Sequence, residues 1–261
     1  MTTLQAIILG IVQGLTEFLP VSSSGHLMLA SELLGTDLSA ADDLTFSLTL
    51  HAATVLSTIV ILWHEVWRLL KGVFSRHFNE EQAYILKIVI SMIPVGIVGF
   101  CLMDYIEAAF SSVLVVGIML LCTALLLTFA YKAKPREKAT ISYRDAFIIG
   151  VAQAFATLPG LSRSGTTIAT GLLLGNKKES VAQFSFLMVL VPILGEAFLE
   201  LVGGEFGASS VGALPLILGF VSAFVSGLFA CKVMIAIVKK AKLSWFALYC
   251  LLAAAAIFIF A

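Results

Sequence analysis

Residues 4–34 read LQAIILGIVQGLTEFLPVSSSGHLMLASELL, apolar at both ends and polar in the middle. The run is apolar through Ile11, meets Gln13, Glu17, Pro20, three serines, Gly25 and His26, and is apolar again over Leu27–Leu34. A membrane helix needs about 20 predominantly apolar residues, and neither flank is that long. Backbone can be broken at membrane depth only where it is buried in protein or lines a wet cavity. The pattern therefore predicts a re-entrant helix–loop–helix hairpin, its first helix ended by Pro20 and its loop formed by Ser22–His26. Residues 146–175 repeat it: Ala146–Ala152 is apolar, Pro159–Thr167 polar, and Ile168–Leu174 apolar again. A shift of 140 residues places Ile8, Gly10, Gln13, Ser22, Ser24 and Gly25 on Ile148, Gly150, Gln153, Ser162, Ser164 and Gly165, which reads as an internal duplication.

Around the two hairpins lie six stretches long and apolar enough to span, roughly 44–63, 85–103, 113–131, 182–202, 214–237 and 244–261. The composition agrees: 60% of the 261 residues are hydrophobic and 12% charged, against about 45–50% and about 25% in soluble domains. A formal net charge of zero gives a nucleic-acid partner no electrostatic support. Cys101, Cys122, Cys231 and Cys250 each lie in an apolar run without CxxC spacing, which predicts packing roles. The first residues show neither a basic n-region nor a cleavage site, so no removable signal peptide is expected.

Basic residues set the topology. Arg68, Lys71 and Arg76 fall in what reads as a 64–84 loop; Lys132, Lys134, Arg136, Lys138 and Arg144 in a second; Lys177 and Lys178 in a third; Lys239, Lys240 and Lys242 in a fourth. The loops at 104–112 and 203–213 hold no Lys or Arg. The positive-inside rule makes every basic loop cytoplasmic. Three spans separate the hairpins, so the first enters from the outer side and the second from the cytoplasm. The predicted fold is an all-α polytopic membrane protein, six transmembrane helices plus two re-entrant hairpins in an inverted-topology repeat. It forms one domain over 1–261, with halves of about 1–131 and 140–261. Such repeats often place a site near the midplane where the halves meet.

Arg163 is the basic residue left inside an intramembrane segment. A charge there costs at least about 2.5–3.5 kcal/mol on insertion scales, so it has a partner or a task. Its setting, Pro159-Gly160-Leu161-Ser162-Arg163-Ser164-Gly165-Thr166-Thr167, supplies backbone N–H groups, hydroxyls and the start of a helix, all suited to an anion. The guanidinium fork fits phosphate oxygens. The other reading is that Arg163 only pairs with Glu17 and closes the hairpins together. Gln13 and Glu17 are spaced i, i+4 and share a helix face. A carboxylate, hydroxyls and the His26 imidazole within ten residues are ingredients for a nucleophile and base, or for a metal ligand. Glu17 as a proton carrier of a transporter stays open. His51, with Thr49 and Thr54 nearby, reads either as lining the site or as a packed, hydrogen-bonded histidine. Glu196 and Glu200 read as interfacial, and the basic loops as topology determinants that also suit anionic lipids.

Two motifs carry a resemblance to a known family. Gln13-Gly14-Leu15-Thr16-Glu17-Phe18-Leu19-Pro20-Val21-Ser22-Ser23-Ser24-Gly25-His26 resembles the first signature of the undecaprenyl pyrophosphate phosphatase (bacitracin-resistance) family. Pro159–Gly165 resembles the second, and chain length, span count and motif separation also fit. The resemblance implies removal of the terminal phosphate from undecaprenyl diphosphate, which recycles the lipid carrier of cell-wall synthesis and confers bacitracin resistance. It implies a multi-pass protein of the bacterial plasma membrane whose site faces the outer side and uses a divalent cation, Mg²⁺ or Ca²⁺. By position, Glu17, Ser23, His26 and Arg163 match catalytic residues, and Ser22, Ser162, Ser164 and Thr167 match phosphate-contacting ones; Gln13 and Gly165 complete the substrate-binding set. Many members carry a second carboxylate where this chain has Gln13, so the metal is expected on Glu17 with Gln13 in support. The expected partners are a polyprenyl diphosphate lipid, membrane lipids and a second copy in a homodimer. A transporter or flippase of a prenyl phosphate lipid is the rival reading. Ser23, His26 and a directly activated water all remain open as the attacking group.

Overall fold

The structure, a computed structural model, describes residues 1–36, 38–102, 112–133, 138–203, 210–239 and 243–260. Among these residues the regular structure is helical: α1 Thr3–Phe18, α2 Ser23–Leu33, α3 Ala40–Ile61, α4 Trp63–Val73, α5 Glu80–Cys101, α6 Val113–Lys132, α7 Tyr143–Phe155, α8 Arg163–Leu173, α9 Lys178–Gly203, α10 Ala213–Lys239 and α11 Ser244–Phe260. Of the basic positions used for topology, Lys134, Arg136, Lys240 and Lys242 lie outside the described residues, as do the side chains of Lys239, Glu196 and Glu200. Among the described residues five helices are long and apolar enough to cross a membrane: α3, α5, α6, α9 and α10. The sixth expected span, α11, has 17 described residues.

Capping explains where many helices begin. Thr2 and Asn79 make reciprocal capping boxes with Gln5 and Gln82, and Ser39, Ser112 and Ser142 accept from the third backbone N–H of their helices. Proline explains one end. Leu19 precedes Pro20 and is extended (φ −73°, ψ 143°), so α1 stops at Phe18.

One expected loop is a helix. The stretch read as a 64–84 loop holds α4 and the first turns of α5. Its apolar residues Trp63, Val66, Trp67, Leu69, Leu70 and Val73 recur at helical spacing and sit among charges, the pattern of an amphipathic helix. Leu69 is buried, while Trp63 and Trp67 stack at 5.6 Å on the exposed side.

The helices that carry the hairpins pack at a distance in sequence. α1 lies along α10, α7 along α5, and α6 along α11. Close approach rests on glycine. A Cβ at Gly10 would come within 2.4 Å of the Gly219 carbonyl, one at Gly14 within 2.4 Å of the Ala223 carbonyl, and one at Gly150 within 2.2 Å of the Ser91 carbonyl. Positions matched at the 140-residue shift also share local geometry. Ser22 and Ser162 each cap a helix by accepting from Gly25 and Gly165, at 3.4 and 3.0 Å. Gln13 and Gln153 are both wholly buried, each with an unpartnered side-chain carbonyl oxygen.

Candidate active site

Two short connections, residues 19–22 and 156–162, meet inside the bundle. In the first, Ser22 has φ 72°, a left-handed backbone uncommon for a residue with a Cβ. That turn reverses the chain in so few residues that Ser23 already starts α2, so the loop expected over Ser22–His26 is instead an N-cap and the first helical turn. In the second, Gly160 takes φ 88° and Ser162 caps α8, whose first residue is Arg163. The tips are joined: Ser164 Oγ donates to the Leu19 carbonyl at 3.1 Å, and a Cβ at Gly165 would lie 3.0 Å from Pro20 Cβ. Ser162 N–H donates to Thr123 Oγ1 of α6 at 3.1 Å.

This construction gathers polar groups on Glu17, whose side chain is 6% exposed. Ser23 Oγ donates to Glu17 Oε2 at 2.6 Å, and Gln13 Nε2 donates to the same oxygen at 3.0 Å. Arg163 Nη2 stands 3.8 Å from Oε1, and His51 Nε2 3.8 Å from Oε2. At 3.8 Å these last two are electrostatic contacts and not hydrogen bonds. The guanidinium therefore faces the carboxylate without being tied to it, at the N-terminus of α8, where helix dipole and backbone N–H groups favour an anion. Glu17 and Arg163 line a cavity of about 20 Å³ with Thr54, Thr58, Ser164 and Phe186, room for about one water.

The structure thus brings Gln13, Glu17, Ser23 and Arg163 together and adds His51. His26 stands apart from them: its Nδ1 donates to the Ser22 carbonyl at 2.8 Å, and its Nε2 is 2.7 Å from Tyr249 Oη of α11. Ser22 and Ser162 are spent largely on capping. Thr167 is wholly buried, its hydroxyl engaged with the Arg163 carbonyl and with Ser185, so it braces α8 against α9 and does not face the cavity. Tyr249 and Thr54 were not singled out from sequence as site residues, because no local spacing links α11 or α3 to the hairpin tips.

Residues 6–256 match the family described as bacitracin resistance protein BacA. The chain belongs to that family. It is 57% identical to an undecaprenyl-diphosphatase of Bacteroides thetaiotaomicron, over 99% of both chains. It is 58% identical to one of Parabacteroides distasonis, over 97% of this chain and 96% of that protein. A third, from Christiangramia forsetii, is 52% identical over 100% of this chain and 99% of its own. In this BacA-family chain the oxygens available to a divalent cation at the site are those of Glu17 and the unpartnered Gln13 Oε1. Among the described residues no three of His, Cys, Asp and Glu cluster as a metal site. The Gln13 amide is oriented by its bond to Glu17, Nε2 donating at 3.0 Å, which leaves the buried Oε1 without a partner.

Proposed function

We propose that this chain hydrolyses undecaprenyl diphosphate to undecaprenyl phosphate and inorganic phosphate, recycling the lipid carrier of cell-wall synthesis. The observation that carries the reading is the 2.6 Å bond from Ser23 Oγ to Glu17 Oε2, with Arg163 facing the same carboxylate from the start of α8. A hydroxyl on a carboxylate is a nucleophile beside its base. Charge neutralisation and positioning dominate the barrier to phosphoryl transfer, and Arg163 with the α8 N-terminus provides both.

Ser23 Oγ attacks the terminal phosphorus and passes its proton to Glu17. The bond from that phosphorus to the bridging oxygen breaks, and undecaprenyl phosphate leaves. Water then hydrolyses the phosphoserine, releases phosphate and restores Ser23. Glu17 and Gln13 would hold a divalent cation, Mg²⁺ or Ca²⁺, which would neutralise phosphate charge. Arg163 grips the phosphate oxygens. His26, one turn beyond Ser23 on α2, is held by the Ser22 carbonyl and Tyr249. The prenyl tail lies between spans, in contact with lipid. The architecture that serves this is six spans and two re-entrant hairpins in an inverted repeat, in the bacterial plasma membrane, with the site open to the outer side. Matched geometry at Ser22 and Ser162, and at Gln13 and Gln153, supports the repeat.

The test is phosphate release from a polyprenyl diphosphate by the purified protein in detergent, with and without chelator, wild type beside Glu17→Ala. Release that needs metal and is lost in the variant is expected. A folded wild type that releases nothing would move the reading to a prenyl-phosphate flippase, decided by a flipping assay in vesicles.

A further inference from the structure

Ser23 reaches Glu17 through a backbone that serine does not favour, Ser22 at φ 72° and ψ 98°. Such backbone persists only where its surroundings over-determine it, so the turn needs a hold. The hold comes from α11, far along the chain, which touches the turn on both sides of Ser22. Cys250 Sγ lies 3.5 Å from the Pro20 carbonyl, and Tyr249 Oη lies 2.7 Å from His26 Nε2. The His26 and Tyr249 rings also stack, with centroids 5.6 Å apart and planes 20° apart. The Ser22 carbonyl in turn receives two donors from His26, the ring Nδ1–H at 2.8 Å and the backbone N–H at 3.2 Å. A carbonyl can only accept, whereas a hydroxyl both donates and accepts, so the ring is tied at both nitrogens whether neutral or charged. Val21, between Pro20 and Ser22, is buried in one apolar cluster with Cys250 and Ala254.

We propose that Tyr249 is a positioning residue for the phosphatase reaction. Its hydroxyl holds the His26 ring on the Ser22 carbonyl. That keeps the left-handed turn, and the turn keeps Ser23 Oγ at 2.6 Å from Glu17 Oε2. This rests on the function proposed above, with Ser23 as the attacking group. Packing by itself would use the phenyl ring, whereas this role uses the hydroxyl. The phenol is 46% exposed, and its buried neighbour Cys250 already supplies the packing contact.

The experiment is Tyr249→Phe, which deletes the hydroxyl and keeps the ring, in the purified protein in detergent. The kcat for phosphate release from a polyprenyl diphosphate should fall about tenfold or more, with KM and melting temperature close to wild type. Glycine takes a positive φ without strain. On a Ser22→Gly background Tyr249→Phe should therefore cost far less, whatever Ser22→Gly costs by itself. Equal cost on both backgrounds would overturn the route through the turn. An unchanged kcat, or a fall matched by a lower melting temperature, would overturn the role. The contact itself is read without turnover, in the ¹⁵N-histidine spectrum. The ring signals that vanish in His26→Gln should move in Tyr249→Phe, and signals that stay would overturn the tie. Signals that move in a wild-type chain that releases no phosphate would instead overturn the phosphatase reading, and the catalytic role with it.

Discussion

Glu17 illustrates how much one carboxylate can organise. Its oxygens receive Ser23 and Gln13 as hydrogen bonds and face His51 and Arg163 at longer range. Removing it leaves the Ser23 and Gln13 donors and the Arg163 guanidinium without the acceptor they face, so its loss should cost activity and stability together. Arg163 is different, being a quarter exposed and loosely held. Arg163→Lys keeps the charge but not the planar fork, and a point charge cannot bridge two phosphate oxygens. It should lower kcat/KM for phosphate release by roughly tenfold or more while melting like wild type; near-normal turnover would argue against bidentate clamping. The Gln13–Glu17 bond was legible in the sequence, since residues four apart on a helix must meet. Ser23 on Glu17 was not, because the contact depends on the left-handed turn at Ser22, a conformation no local rule assigns to serine. His51 was open between lining and packing because spacing does not fix how α3 is rotated toward α1.

At the level of elements, glycine decides which helices touch. Gly10 and Gly14 let α1 settle onto α10, and Gly150 lets α7 settle onto α5. Gly96 and Gly99, on α5 as well, have nothing within 4 Å of the added atom. Gly150→Val should therefore lower the melting temperature in detergent by an amount equivalent to about 1–3 kcal/mol, and Gly96→Val should change it little. Equal effects would mean that helix propensity, and not the close approach, governs both sites. The sequence marked the hairpins and the long spans because breaks and apolar runs are local signals. It missed α4, whose alternating apolar and charged residues were read only for their charge.

At the scale of the molecule, polar ties hold the two ends of the second hairpin. Asp145, in the first turn of α7, accepts from Lys138 Nζ at 3.0 Å and from Asn176 Nδ2 at 3.1 Å. Burial opposes its charge, but the hydrogen bonds from Lys138 and Asn176 outweigh that and hold the carboxyl below its ordinary value. A depressed acid stabilises the fold above its unfolded pKa and loses that contribution as pH falls through the lower folded value. Asp145→Asn should melt below wild type at pH 7, and the gap should close as pH drops below about 4. A gap independent of pH would assign the loss to shape and not to charge.

The pairing of α1 with α10 also has a consequence in time. α1 leaves the ribosome long before α10, its main neighbour. At the usual pace of translation, about 10–40 s pass between the two. Through that interval the notched face at Gly10 and Gly14 rests against lipid, an insertion machine or the wrong helix, and Glu17 waits without Arg163. The order of synthesis leaves the reactive carboxylate made long before the helices that enclose it.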